Sequence, residues 1–307
     1  FGARPQSTQN AASGGAGQTV PSLLAEGDST WTTGAKKILV VRVKFPTSYD
    51  ETQYSDYTDL SSSDCSAIVD GIRGAFSDWS FNRLTIAPVQ AGGSKVSSVV
   101  ALDGSATDYT GDDIGDIWDE VQDKVGSQGI NPDNYHFILV LAGNAPIADE
   151  DDDTKTVWWS GLGRIGERLS FIRVNDPAYT AQERIDRNVS VSLHELGHNL
   201  GLYHSSTIYT QPYINGYVIE VGAEYGDRYD RMGKGGGDFN VRYKQWLNWL
   251  DNANVPLAVT DGVYTIREHD LEEKTGVRGL QISTLPFINP LSSENQLFVE
   301  YRLDNVQ

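Results

Sequence analysis

The stretch that most constrains this chain is His194-Glu195-Leu196-Gly197-His198-Asn199-Leu200-Gly201-Leu202-Tyr203-His204, which takes in three of its five histidines. A spacing of four puts His194 and His198 on one face of a helix, one turn apart. Two imidazoles so placed can reach one ion at about 2.0–2.1 Å. Glu195 follows the first of them and leans beside the pair, where a carboxylate can take a proton from polarised water. Gly201 lies three residues past His198. A glycine there can turn left-handed, end the helix and redirect the chain. The turn lets His204 swing back as a third donor.

Three protein ligands leave a fourth position for water, which distinguishes a catalytic zinc site from a structural one. A second feature is independent of the first. The chain has a single methionine, Met232, which stands 28 residues after His204 in Tyr229-Asp230-Arg231-Met232-Gly233. Joined to an extended histidine motif, a downstream methionine marks the turn that floors such a site.

Around this motif the pattern alternates. Residues 1–35 are rich in Gly, Ser, Ala, Thr and Gln and read as an arm or linker. Residues 37–45 hold a nearly continuous β-branched run, as in a strand covered on both faces. Residues 84–89 and 135–141 read as further strands. Helices are expected from a cap at Ser63-Asp64 to about residue 79, over 112–125 and over 184–201. Strand–helix–strand–helix–strand order predicts an α/β layer with largely parallel pairing. Residues 156–160 and 169–174 read as two short strands joined through glycine. A long Tyr- and Gly-rich loop is expected over 205–228, and a short helix over 241–250. Beyond Pro256 the pattern turns to strands, at 263–267, 280–284 and 296–303. The expected organisation is an arm (1–35), a catalytic domain (36–251, its upper part running to about 204 and its lower part 205–251) and a small C-terminal β unit (252–307).

Composition limits the partners. The net charge of −18 sets the chain against phosphate backbones, so no nucleic-acid partner is expected. No apolar run is long enough for a membrane helix, so no membrane insertion is expected. The N-terminus lacks a basic segment leading into an apolar run, so no signal peptide is expected within this chain. A lone cysteine, Cys65, excludes an intrachain disulfide and reads as a small buried residue, with a thiolate on the metal as the alternative. The run Asp149-Glu150-Asp151-Asp152-Asp153 reads as a solvated acidic loop, with a Ca2+ site as the alternative. His136 and His269 lie in or beside strands and read as packing or surface residues.

The histidine motif resembles that of the metzincin peptidases. Glu224-Tyr225-Gly226-Asp227 through Asp230-Arg231-Met232-Gly233 resembles the Met-turn region of the gametolysin-like family. Residues 75–86 are similar to that family's helix-to-strand segment. The resemblance spans about 36–250. It implies an α+β fold: an α/β-like upper subdomain with a mixed twisted sheet and active-site helix, a lower part with the Met-turn, and a cleft between them. It also implies Zn2+ on His194, His198 and His204, Glu195 as the acid/base, Met232 as the turn methionine, and secretion to cut extracellular or cell-wall glycoproteins. One departure is Lys234, where some metzincins carry a tyrosine two residues after the methionine. Lys234, Tyr229 or neither stands as the group for the oxyanion.

Together these readings predict a secreted zinc endopeptidase acting on protein or peptide substrates. An extended substrate is expected on an edge strand near 157–161, with Trp158 or Trp159 beside it and Tyr209, Tyr213 and Tyr217 walling a pocket. A binding protein with a vestigial metal site, and a zinc amidase or carbohydrate deacetylase, are the alternatives.

Overall fold

The computed structural model describes residues 28–45, 60–104, 114–143, 160–173, 179–213, 216–221, 223–269, 275–283 and 296–302. The chain forms two compact units. One, the sheet unit, comprises Gly34–Ser77 and Leu84–Leu200; the second comprises Phe1–Thr33, Asp78–Arg83 and Gly201–Gln307. The first described element is a one-turn helix, α1 (Ser29–Thr32), in the second unit.

The sheet unit opens with β1 (Gly34–Lys36) and β2 (Ile38–Lys44). Helix α2 (Ser62–Trp79) follows, then β3 (Leu84–Ile86), which pairs in parallel with β1 in a separate two-stranded sheet. The main sheet takes β4 (Lys95–Ala101), β5 (Phe137–Gly143), β6 (Gly161–Gly163) and β7 (Leu169–Arg173) in the order β4-β2-β5-β7-β6. All pairs are parallel except β6 with β7, which is antiparallel, so the sheet is mixed. Helices α3 (Ile114–Ser127) and α4 (Ala181–Asn199) complete the unit.

The central strands explain themselves. Ile38, Leu39, Val40 and Val41 are wholly buried, as are Phe137, Leu139 and Val140, so both faces of β2 and β5 are covered. One side of the core joins Leu39, Val41, Ile138, Val140 and Phe171 to Ile117, Val121 and Val125 of α3. Gly71 of α2 lets α4 approach closely: a Cβ there would lie 2.7 Å from Val189 Cγ2. The Cys65 thiol is buried within α2, and burial pushes its pKa up to about 12, the state of a structural rather than a reactive cysteine.

Several expectations shift. The cap of α2 is Ser61, whose Oγ accepts from the Asp64 N–H (3.1 Å) while Asp64 accepts from the Ser61 N–H (3.0 Å), a reciprocal capping pair rather than a cap at Ser63. The strand at 84–86 lies outside the main sheet, and β4 takes the edge place beside β2. Strand β4 escaped the sequence because its burial is broken by serines, of which Ser97 is buried and accepts the Arg42 N–H (3.1 Å). The glycine connection expected near 160 is itself the edge strand, β6.

In the second unit, the expected loop over 205–228 contains a hairpin of β8 (Ile208–Tyr213) and β9 (Gly216–Val221). Helix α5 (Val241–Trp246) is shorter than expected, and Asn240 caps it by accepting the Tyr243 N–H (2.9 Å). Strands β10 (Gly279–Ser283) and β11 (Gln296–Glu300) pair antiparallel. Residues 263–267 are not a strand. Val263 is fully exposed, so its alternating pattern meets no partner face. The unit's interior gathers Phe239, Trp246 and Trp249 with Asp230, Asp238, Lys244, His269 and Arg278, all buried. No helix among the described residues is long and apolar enough to cross a membrane.

Candidate metal centre

Helix α4 begins with a full capping box: Thr180 accepts the Glu183 N–H, and Glu183 accepts the Thr180 N–H. Its C-terminal turns carry His194, Glu195 and His198. The two imidazoles stand with ring centroids 5.0 Å apart and planes at 83°. Leu200 caps the helix, and Gly201 follows with φ of +100°. A Cβ on Gly201 would meet Trp246 Cη2 at 2.5 Å, so both the backbone angle and the space demand glycine. Three residues later comes His204. One ring nitrogen from each of His194, His198 and His204 lies within 4.8 Å of the others, a set that can hold a metal ion. An all-imidazole set suits zinc, and three donors match an open catalytic site.

The helix end is pinned by residues to which the sequence assigned no role. Asn199, fully buried, donates from Nδ2 to the carbonyls of Arg164 and Leu169 (both 3.0 Å) and accepts the Ser170 hydroxyl (2.8 Å). The Gly166 N–H bonds the His198 carbonyl (2.8 Å). The β6–β7 hairpin therefore grips α4 beside two of the three imidazoles, holding their rings by fixing the backbone that carries them.

Glu195 is buried, and β6 crosses it at close range. A Cβ on Gly161 would overlap Glu195 Oε1 and lie 2.7 Å from its Cγ; one on Gly163 would overlap the Glu195 carbonyl oxygen. The two glycines, two apart on one strand face, are the reason the strand can come so near. Burial raises the Glu195 carboxyl to about 8, opposed by a hydrogen bond from the Gly163 backbone. Bonds from the Arg164 N–H to the Leu169 carbonyl and from the Arg173 N–H to the Ser160 carbonyl set the pairing, so Leu162 faces β7. The backbone groups of Gly161 and Gly163 then point away from β7, to the edge of the sheet among the described residues, where the Gly163 backbone meets Glu195.

In the second unit His204 is held by its own neighbours. Its Nδ1 lies 2.6 Å from Glu224 Oε1, and its ring lies against Tyr225. Burial lowers its pKa, against the opposing pull of Glu224, so the ring favours the neutral form that ligates metal. Met232 is buried, and its carbonyl accepts the N–H of Ser205, the residue after His204 (2.9 Å). Asp230 organises this turn: its carboxylate accepts the Met232 N–H (2.6 Å), the Ser205 hydroxyl (2.8 Å) and the Asn240 N–H (2.5 Å). Burial still raises the Asp230 carboxyl to about 6.

Other expected residues fall elsewhere. Trp158 and Trp159, with the acidic run 149–153 that carried the Ca2+ alternative, lie outside the described residues. Tyr209 and Tyr213 fall on β8 and Tyr217 on β9, with their side chains likewise outside. Tyr229 is half exposed, and the Lys234 N–H bonds the Asp227 carbonyl (2.6 Å). His136 accepts the Lys37 N–H at Nδ1 (3.1 Å), and buried His269 Nε2 lies 2.9 Å from the Phe239 carbonyl oxygen; neither belongs to the histidine cluster.

No protein-family model matches the chain, and no curated protein matches it. Similar solved structures include archaemetzincin from Methanopyrus kandleri, at 17% identity over 69% of this chain and 94% of that one, with a TM-score of 0.35. Catalytically inactive OgpA from Akkermansia muciniphila, in complex with an O-glycopeptide, is similar at 17% identity over 62% of this chain and 54% of that one, with a TM-score of 0.32. A zinc-dependent peptidase from Methanocorpusculum labreanum is similar at 15% identity over 55% and 83%, with a TM-score of 0.22.

Proposed function

We propose that the chain is a zinc-dependent endopeptidase that works on extended protein segments. The observation that carries this reading is the convergence of three imidazole nitrogens, with a buried carboxyl, Glu195, next in sequence to the first of them. His194, His198 and His204 would hold the zinc, which supplies a Lewis acid that acidifies water and polarises a carbonyl. Glu195 takes the proton from the attacking water and delivers it to the leaving amine. Its burial suits both halves of that task, because a carboxyl raised toward neutrality binds and releases a proton near pH 7.

A peptide is the substrate that fits the sheet. The edge groups of Gly161 and the Gly163 carbonyl can pair with an extended backbone, while the Gly163 backbone N–H serves Glu195. Strand β6 would therefore align the scissile bond beside Glu195. Met232, buried and tied through Ser205 to the residue after His204, is the methionine of the Met-turn in this reading. The resemblance to gametolysin-like peptidases adds secretion and extracellular or cell-wall glycoproteins as the setting. Tyr209, Tyr213 and Tyr217, on the hairpin that follows His204, are the candidates for side-chain selection.

The test joins metal analysis to cleavage of casein and a peptide library, with and without chelator. Wild-type protein should contain about one zinc and cleave internal bonds. Glu195→Gln should keep the zinc and lose turnover by about 10²–10⁴-fold. Wild-type rates in that variant would end the proposal. So would zinc-bound protein that leaves every peptide intact and instead deacetylates glycans.

A further inference from the structure

His204 is met from two directions by consecutive residues of one short turn. Glu224 Oε1 lies 2.6 Å from its Nδ1, and the Tyr225 ring lies over it with centroids 3.8 Å apart and planes at 37°. Consecutive side chains of an extended chain point to opposite sides. Tyr225 breaks that alternation with φ of +60°, a left-handed conformation that disfavours a non-glycine residue. The turn is nonetheless closed tightly. The Ala223 carbonyl accepts the Gly226 N–H (2.9 Å), and a Cβ on Gly226 would meet Thr207 Oγ1 at 2.5 Å. A strained residue held in place by its surroundings directs attention to what it presents, and here that is two contacts on one imidazole.

We infer that Glu224 is the positioning residue of the third ligand: it accepts a hydrogen bond from His204 Nδ1–H, fixes the tautomer and commits Nε2 to the metal, while Tyr225 backs the ring. A carboxylate behind a ligating histidine also raises the basicity of the donor nitrogen. His194 and His198 ride on α4, whose end Asn199 and Gly166 grip. His204 lies beyond that helix, and Glu224 is the carboxylate at its ring. The inference rests on the zinc reading above.

Zinc affinity measured by chelator competition, together with the visible spectrum of the cobalt-substituted protein, tests it. Glu224→Ala should weaken zinc by about 10–100-fold and change the cobalt bands, while urea unfolding of the metal-free protein stays near wild type. Glu224→Gln keeps the length and one acceptor oxygen, so its loss should be smaller. A role confined to the turn would move unfolding and leave the metal untouched. Wild-type affinity and an unchanged cobalt spectrum in Glu224→Ala would overturn the inference while leaving the peptidase reading standing. If Glu224→Ala fails to fold, Glu224→Gln decides: affinity and cobalt spectrum equal to wild type overturn the inference. Wild-type protein that binds no zinc would sink both together, so the two failures are distinguishable.

Discussion

The sheet unit fills its interior with aliphatic and aromatic side chains from β2, β5, β7 and α3. The second unit buries Trp246, Trp249 and Phe239 but seals charge in with them. Lys244 and Asp238 form an ion pair with both side chains at 5% exposure or less. Around Asp238 stand His269 (3.3 Å) and Arg302 (3.4 Å), and Arg302 also pairs with Glu300 (2.6 Å) and donates to the Tyr229 carbonyl (2.8 Å). Apolar burial is non-directional and tolerates small shifts. A buried polar network holds its geometry only while every partner is present. Rigidity therefore has two sources: apolar packing holds the sheet against α3, whereas hydrogen bonds hold the end of α4 and the turn that carries Met232.

The largest test of this contrast is Asp238→Ala. It strands the Lys244 ammonium in a dry interior and should lower the stability of the second unit by about 3–5 kcal/mol. Tryptophan fluorescence through a urea titration reads it, since Trp246 and Trp249 belong to that unit. A loss under about 1 kcal/mol would mean the network is dispensable. Next comes Leu139→Ala in β5, a cavity in the apolar core, expected at about 3 kcal/mol. Its effect should fall on the sheet unit and stay the same at low and high salt. The smallest signal sharpens both: Cys65, buried with its thiol pushed up to about 12, should resist alkylation at pH 8 until the sheet unit unfolds. Its labelling midpoint in urea should move with Leu139→Ala and shift less with Asp238→Ala. Rapid labelling without denaturant would show that α2 opens far more readily than its burial implies.

What could be read in the sequence was what is local along the chain. The histidine pair and Gly201 are set by helical spacing and one turn, so a span of a few residues displays them. The β2 and β5 runs were equally plain, because burial on both faces leaves an unbroken apolar string. Glu224 stood in the stretch that resembles a Met-turn region, but its role could not be read there, since its contact with His204 bridges 20 residues. The signal available was its place beside Tyr225-Gly226, a turn-prone pair. Strand β6 was hidden because Gly161 and Gly163 look like a connector, and only the crowding against Glu195 explains them. The β8–β9 hairpin was hidden by Pro212 and by the many glycines and tyrosines around it. At 263–267 the error ran the other way: alternation suggested a strand, but with Val263 in solvent there was no face to build on.

The left-handed Gly201 has a consequence for assembly. The third imidazole hangs on a tether of only three residues beyond that pivot, so its search for the ion is short once the end of α4 has set.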